Sequence, residues 1–261
     1  MRRTLFAFAL GTTCAAATST ASALAQEPDP HAAQPERPTV ATHAFTVAPG
    51  YAELEFGVEL DRFGAGNALS TPTTFKAGLA HRVQVEATVA WLSTSDSLSF
   101  AGVSDLVIVL KWRLADSLPV LGAFAIQPAV RLPTGTPPLG ANAVVGSLLF
   151  ISSQHFGPVE LDVNFGLFTR LTDGGDLPTT ATLWTVSAGG PASGAFGWVL
   201  ELYGYPGTGG VSGGAPIISL LIGPTFAVRE WFVLDVGAIV PLAGPQPHAL
   251  YTGLTWNVGR L

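Results

Sequence analysis

The stretch Val159-Glu160-Leu161-Asp162-Val163-Asn164-Phe165-Gly166-Leu167-Phe168-Thr169-Arg170 decides how the whole chain is read. Val159, Leu161, Val163, Phe165 and Leu167 fall on one side of an extended backbone and Glu160, Asp162, Asn164 and Arg170 on the other, because successive side chains of a strand point to opposite faces. A helix would scatter the same acids around its circumference. The split recurs along the chain. Ala52, Leu54, Phe56, Val58 and Leu60 oppose Glu53, Glu55, Gly57 and Glu59, and Val83, Val85, Ala87, Val89 and Trp91 oppose Gln84, Glu86 and Thr88. Leu106, Ile108, Leu110 and Trp112 oppose Asp105, Lys111 and Arg113, and Phe232, Leu234, Val236 and Ala238 oppose Asp235 and Gly237. Residues 142–151 and 181–188 are too uniformly small or apolar for a face to be assigned.

About a dozen such runs of roughly ten residues follow residue 50, the layout of an outer-membrane barrel with short periplasmic turns and longer outer loops. The long connections are 61–70, 92–102, 133–141, 172–180, 204–215 and 241–247, and the tight ones are 81–82, 114–119, 154–158, 189–194 and 228–230. The expected fold is therefore all-β, an antiparallel transmembrane β-barrel of about twelve strands. Alternation alone does not separate inside from outside, and a soluble sandwich or lipocalin-like barrel would turn the apolar face inward. Three features favour lipid. Only 11% of residues are charged; long and short connections alternate; and Tyr51, Trp91, Trp112, Trp184, Trp198, Trp231 and Trp256 stand at run ends, where aromatic girdles meet the membrane interfaces.

The chain opens like an exported one. Arg2 and Arg3 precede an apolar stretch from residue 5, and Ala23-Leu24-Ala25 is a small-x-small cleavage site. This predicts a signal peptide over 1–25, an aperiodic periplasmic arm or partial plug over 26–47, and the barrel over 48–261. A lipid anchor on Cys14 is the rival reading, poorly served by Thr12 and Thr13. Cys14 is the sole cysteine, so cleavage leaves neither disulfide nor thiolate chemistry.

Eighteen acidic residues against 12 basic ones give a net charge of −6, which repels nucleic acid. No Gly-x-Ser-x-Gly nucleophile elbow occurs, since that spacing falls only within the glycine-rich connection 204–214, which reads as a flexible outer loop with no following helix, and neither a His-Glu-x-x-His nor a phosphate-cradling Gly-Lys-Ser/Thr pattern is present. His31 and His43 lie in the arm, His81 and His155 in expected turns and His248 beside an outer loop, and solvated histidines are the simpler reading of each. Asp173 and Asp176 around two glycines read as a turn rather than a Ca²⁺ loop. No enzyme activity, cofactor or metal site is expected.

The polar faces place Glu53, Glu55, Glu59, Glu86, Asp105, Glu160, Asp162, Glu201 and Asp235 in the lumen with Lys76, Lys111, Arg113, Arg131 and Arg170. Either these charges pair and close a structural barrel, or a water path survives whose acidic surplus favours cations and neutral polar solutes. Glu53 and Glu86 are candidates to line such a path, and Asp105 and Arg131 to form an eyelet.

Several segments resemble a known family. Glu36-Arg37-Pro38 and the run from Ala44 through Pro49-Gly50-Tyr51 to Gly57 are similar to the opening of the outer-membrane transporters grouped with the phenol-degradation meta-pathway proteins. Gly102-Val103-Ser104-Asp105, Leu110-Lys111-Trp112-Arg113-Leu114, Val130-Arg131-Leu132-Pro133-Thr134-Gly135 and Leu234-Asp235-Val236-Gly237 extend the likeness over residues 36–261. The resemblance implies a barrel of about twelve strands and a channel for small organic compounds. The chain departs from the usual aromatic terminus read by the barrel-assembly machinery, and Trp256 and Leu261 are the candidates to stand in for it.

Two function classes follow. One is a passive outer-membrane transporter of small, aromatic or hydrophobic molecules, whose partners are membrane lipid, the assembly machinery and the solute. The other is a non-conducting barrel that is structural or binds a partner through its loops. A soluble periplasmic binding barrel is a third reading.

Overall fold

A computed structural model describes residues 29–63, 66–95, 99–137, 139–173, 178–206 and 215–261. The expected signal peptide, Asp176 and most of the 204–215 connection lie outside them. The strands are β1 (Tyr51–Phe63), β2 (Gly66–Ala80), β3 (Val83–Thr94), β4 (Ala101–Val103), β5 (Leu106–Leu118), β6 (Gly122–Leu132), β7 (Val145–Phe156), β8 (Val159–Arg170), β9 (Thr180–Ser193), β10 (Phe196–Tyr205), β11 (Ile217–Arg229), β12 (Phe232–Ala243) and β13 (His248–Arg260).

Each long strand pairs antiparallel with its neighbours, and β1 returns to β13 from Tyr51↔Arg260 to Arg62↔His248, closing a ring of twelve. The three-residue β4 pairs only with the outer end of β3. Closure leaves no strand edge, the condition for a sheet to cross hydrocarbon.

The outer wall is apolar. Phe56, Val89, Leu110, Val163, Phe165, Leu167, Ile222, Leu234 and Val236 are exposed on it, while Glu53, Gln84, Lys111, Asn164, Glu201 and Asp235 on the opposite faces are buried. A soluble barrel would show the reverse. Trp112, Trp198, Trp231 and Trp256 lie toward the periplasmic ends of their strands or in a turn there, and Trp91 and Trp184 toward the outer ends. The two runs without a legible face also resolve. β9 buries Ala181, Leu183, Thr185 and Ser187 and exposes Val186, and β7 turns Val145, Ile151 and Ser153 inward.

Several connections are shorter than expected, and the expected turns 114–119 and 189–194 are mostly strand, β5 reaching Leu118 and β9 reaching Ser193. The expected loop 61–70 is mostly strand, because the ladder continues through Arg62↔Asn67 and Phe63↔Gly66. The expected loop 241–247 shortens likewise, since β12 reaches Ala243. Strand ends that clear the bilayer need no apolar face, so they read as loop although their backbone stays paired. The periplasmic turns are tight, with left-handed backbone at Arg82, Val120, Gly157 and Gly194.

The apolar exterior is directly testable. Phe165→Arg at mid-strand is expected to lower stability in lipid vesicles by about 2–4 kcal/mol, and Leu250→Arg near the outer rim by about 0–1 kcal/mol, measured by denaturant titration.

Candidate functional site

Residues 29–49 run inside the ring. At the periplasmic mouth the His31 ring stacks on Trp231 at 5.8 Å, its Nε2 lies 2.9 Å from the Asn257 carbonyl oxygen, and Ala33 N–H donates to the Glu230 carbonyl at 2.8 Å. The arm then climbs to residues 37–41 beside β10, β12 and β13, and returns past β8, β7 and β3. It leaves where Pro49 bridges Gly78 and Gly50 N–H donates to the Gly78 carbonyl.

The wall backbone is already spent on the ring, so the buried arm must find other partners for its own amides. Side chains supply them. Gln34 N–H donates to Glu53 and Glu36 N–H to Glu55, both at 2.7 Å, an i, i+2 match between the extended arm and β1. Val40 and Ala41 N–H donate to the two oxygens of Glu201 at 2.8 and 2.6 Å. Thr42 N–H donates to Asn164 at 2.7 Å, Ala44 N–H to Ser153 at 2.8 Å and Val47 N–H to Gln84 at 2.6 Å.

Two lysines complete the clamp. Strand register aligns Glu53, Lys76 and Glu86 across β1, β2 and β3, and Gln84 with Lys111 across β3 and β5. Lys76 Nζ pairs with Glu53 and, at 2.9 Å, with Glu55, and donates to the Gln34 carbonyl at 2.7 Å. Lys111 Nζ pairs with Glu36 of the arm and donates to Thr42 Oγ1 at 2.6 Å and the His43 carbonyl at 3.1 Å. Gln84 joins them by donating to Glu36 and Glu86. Burial works to raise the Glu36 pKa, but Lys111, Lys76 and His43 outweigh it and hold the carboxyl at about 2. Burial, with Lys111 beside it, pushes the His43 imidazole down to about 3.

Arg37 lies flat against the opposite wall. Its guanidinium reaches Asp235 at 3.3 Å and the Thr252 carbonyl at 3.3 Å, over the paired glycines Gly57 of β1 and Gly253 of β13. A Cβ on either glycine would collide with that guanidinium. The glycines are thus the bed for an arm residue.

The other sequence candidates divide by place. Asp105 precedes β5 and accepts from Arg131 Nε at 2.9 Å, Gly135 N–H at 2.8 Å and Ala141 N–H at 2.7 Å, so the pair ties down the outer segment 133–141. Arg113 sits 5.4 Å from the centre of the Phe45 ring and 3.3 Å from Asp116. Glu160 and Asp162 border a cavity of 460 Å³ between the arm and β7–β12, shared with His43 and His155. Arg170 is at the outer end of β8.

The reading of solvated histidines fails at two positions, His31 and His43, while His155 stays exposed although it belongs to a strand rather than a turn. His31 is stacked on Trp231 and His43 is buried, and the exposed His155 has its ring 5.7 Å from that of Phe45. Sequence reasoning also missed Glu36, Arg37, Gln84, Ser153 and Asn164, which hold the arm. For Gln84, Ser153 and Asn164 the signal was a polar side chain on the inner face, which names no partner, and Glu36 and Arg37 lie in the aperiodic arm. Among the described residues no three His, Cys, Asp or Glu side chains gather as metal ligands.

No family profile matches the chain, and no curated protein is similar to it in sequence. Solved structures are similar in fold. The COG4313 outer membrane channel from Pseudomonas putida F1 superposes with a TM-score of 0.63 at 13% identity, over 82% of this chain and 97% of that one. A KdgM porin gives 0.54 at 10% identity, over 78% and 98%. The chain has the fold of an outer-membrane β-barrel channel.

The clamp generates two predictions. Gly57→Ala, whose Cβ has only Arg37 guanidinium atoms as its nearest neighbours, is expected to evict Arg37 and raise protease cleavage of residues 29–47 in the folded barrel, with the barrel's denaturation midpoint little changed. Acid is expected to loosen the arm. Glu36 and His43 both have docked pKa values below their free values of 4.5 and 6.5, so the docked arm binds fewer protons than the free one. Their contribution is full above pH 6.5 and is lost as pH falls toward 3 for His43 and 2 for Glu36. Protease accessibility of the arm should rise across that window.

Proposed function

We propose that the protein is a passive outer-membrane channel for small organic molecules, held shut by its own residues 29–49. The observation that carries this reading is the arm itself. It fills the periplasmic half of a closed barrel, yet it is held there by side chains rather than by sheet hydrogen bonds. Such contacts can be exchanged one by one without opening the ring.

The lumen wall supports a solute with an apolar body. Outward of the clamp, Tyr203, Tyr205, Leu221 and Ile239 line one side and Leu149, Ala181 and Leu183 the other. The sequence likeness to the transporters of the phenol-degradation meta-pathway group points toward aromatic compounds as well. With the arm displaced, Glu53, Glu55, Glu86, Glu160, Asp162, Glu201 and Asp235 would face the lumen against Lys76 and Lys111. That surplus favours cations and neutral polar solutes over anions.

Planar-bilayer recordings of the protein with and without residues 29–47 test the proposal. Conductance steps that appear or grow on deletion, with cation preference reduced by Glu53→Gln plus Glu86→Gln, are the expected result. A lipid-inserted barrel silent in both forms would refute the channel and leave the structural, loop-binding barrel in its place.

A further inference from the structure

We propose that the socket now holding Val40 and Ala41 is the channel's solute site, and that the arm's apex sits in it as a stand-in for the solute. The ligand class is a small apolar molecule carrying two N–H or O–H donors at one end. The inference rests on the channel reading above and adds to it how the arm is released.

Three observations define the socket. The Val40 side chain packs against the cluster formed by Val199, Tyr203, Leu221 and Tyr251, an aliphatic and aromatic wall. Immediately beside it Glu201 is fully buried, and its two oxygens accept from two adjacent arm amides, with no ion pair among the described residues. A buried carboxylate without a countercharge is tolerated only while donors cap it. Third, Tyr251 is 3% exposed and its hydroxyl has no hydrogen-bond partner among the described residues. It lies over Gly223 and Gly237, where any Cβ would meet it. The site therefore has an apolar wall, a two-oxygen acceptor and an unused hydroxyl.

The arm satisfies the first two of these and leaves the third open. Its apex presents a small branched side chain and a pair of N–H groups, which is the chemistry of a primary amide or amine on a compact hydrocarbon. Tyr203 stands on the outer side of Glu201 along β10, so a solute arriving from the exterior meets the aromatic wall before the carboxylate. Once a solute caps Glu201, the apex loses both amide partners and its apolar seat. Solute and apex exclude one another, so the solute shifts the arm toward release by as much as it prefers the vacated socket. The Lys76 contact to the Gln34 carbonyl lies at the start of the arm, away from this competition, and leaves the arm tethered for return.

Ala44→Cys places a thiol at a fully buried arm position away from the socket, and Cys14 stands in the expected signal peptide. Labelling of this variant in lipid vesicles by a membrane-impermeant maleimide reports arm release. Benzamide at millimolar concentration is expected to speed labelling several-fold, while N,N-dimethylbenzamide, which has the same ring and no donors, leaves it unchanged. Glu201→Gln replaces one acceptor by a donor, and should raise the basal rate and abolish the benzamide response. Equal acceleration by both amides would overturn the donor requirement and with it the site. So would no acceleration by benzamide when Lys111→Ala both speeds labelling and opens conductance, a result that spares the channel reading. If Lys111→Ala frees the arm and the barrel still does not conduct, the channel reading falls and this inference falls with it.

Discussion

Inside a bilayer every backbone donor and acceptor must be met by the chain itself, because hydrocarbon offers no partner. The β1 to β13 pairing satisfies this for the wall and thereby fixes almost everything else. With the ring closed, the wall offers the segment in its lumen few backbone partners, the carbonyls of Glu230, Thr252 and Gly78 among them. Residues 29–49 therefore cannot join as a further strand. Their amides go to Glu53, Glu55, Glu201, Asn164, Ser153 and Gln84, and their carbonyls receive from Lys76, Lys111, Asn164 and Asn257. The composition of the inner face follows from that need for side-chain partners of both kinds.

Charge in the lumen obeys the same logic. Removing ions from water is unfavourable by several kcal/mol each, and pairing offsets this only when further hydrogen bonds satisfy the rest of each group. Lys76 and Lys111 meet that condition, since each combines carboxylates with carbonyl or hydroxyl oxygens from the arm. The clamp is consequently shared property: the wall carries unpaired charge without the arm, and the arm carries unmet amides without the wall. This mutual dependence makes the arm stable where it lies and sensitive to anything that supplies either side with a substitute.

The two ends of the barrel are built differently. The periplasmic half is polar, crowded and organised around the arm. The outer half is lined by tyrosines and aliphatic residues and capped in part by the 133–141 segment, which Asp105 gathers through Arg131, Gly135 and Ala141. A solute would pass from an apolar vestibule to an acidic one, and the Val40 socket lies where they meet.

The strands, and the apolar side of most of them, β7 and β9 excepted, were legible in the sequence because side-chain alternation is a local property: two neighbours suffice to reveal it. Val159 to Arg170 shows its two faces whatever its partners are, and twelve such runs with short turns dictate closure once lipid is the solvent. The sequence was silent where a residue's role depends on register or on a distant segment. Nothing in Glu53, Lys76 and Glu86 says that they form one row, since strand offset is set by the whole ladder. Gly57 and Gly253 read as interior glycines until Arg37 is found lying on them. Residues 29–49 carry no periodicity because side chains scattered over β1, β3, β7, β8 and β10 hold them, rather than a neighbouring strand. Their path through the lumen was decided only when the ring closed around them, because closure commits most of the wall's backbone and leaves side chains to do most of the holding.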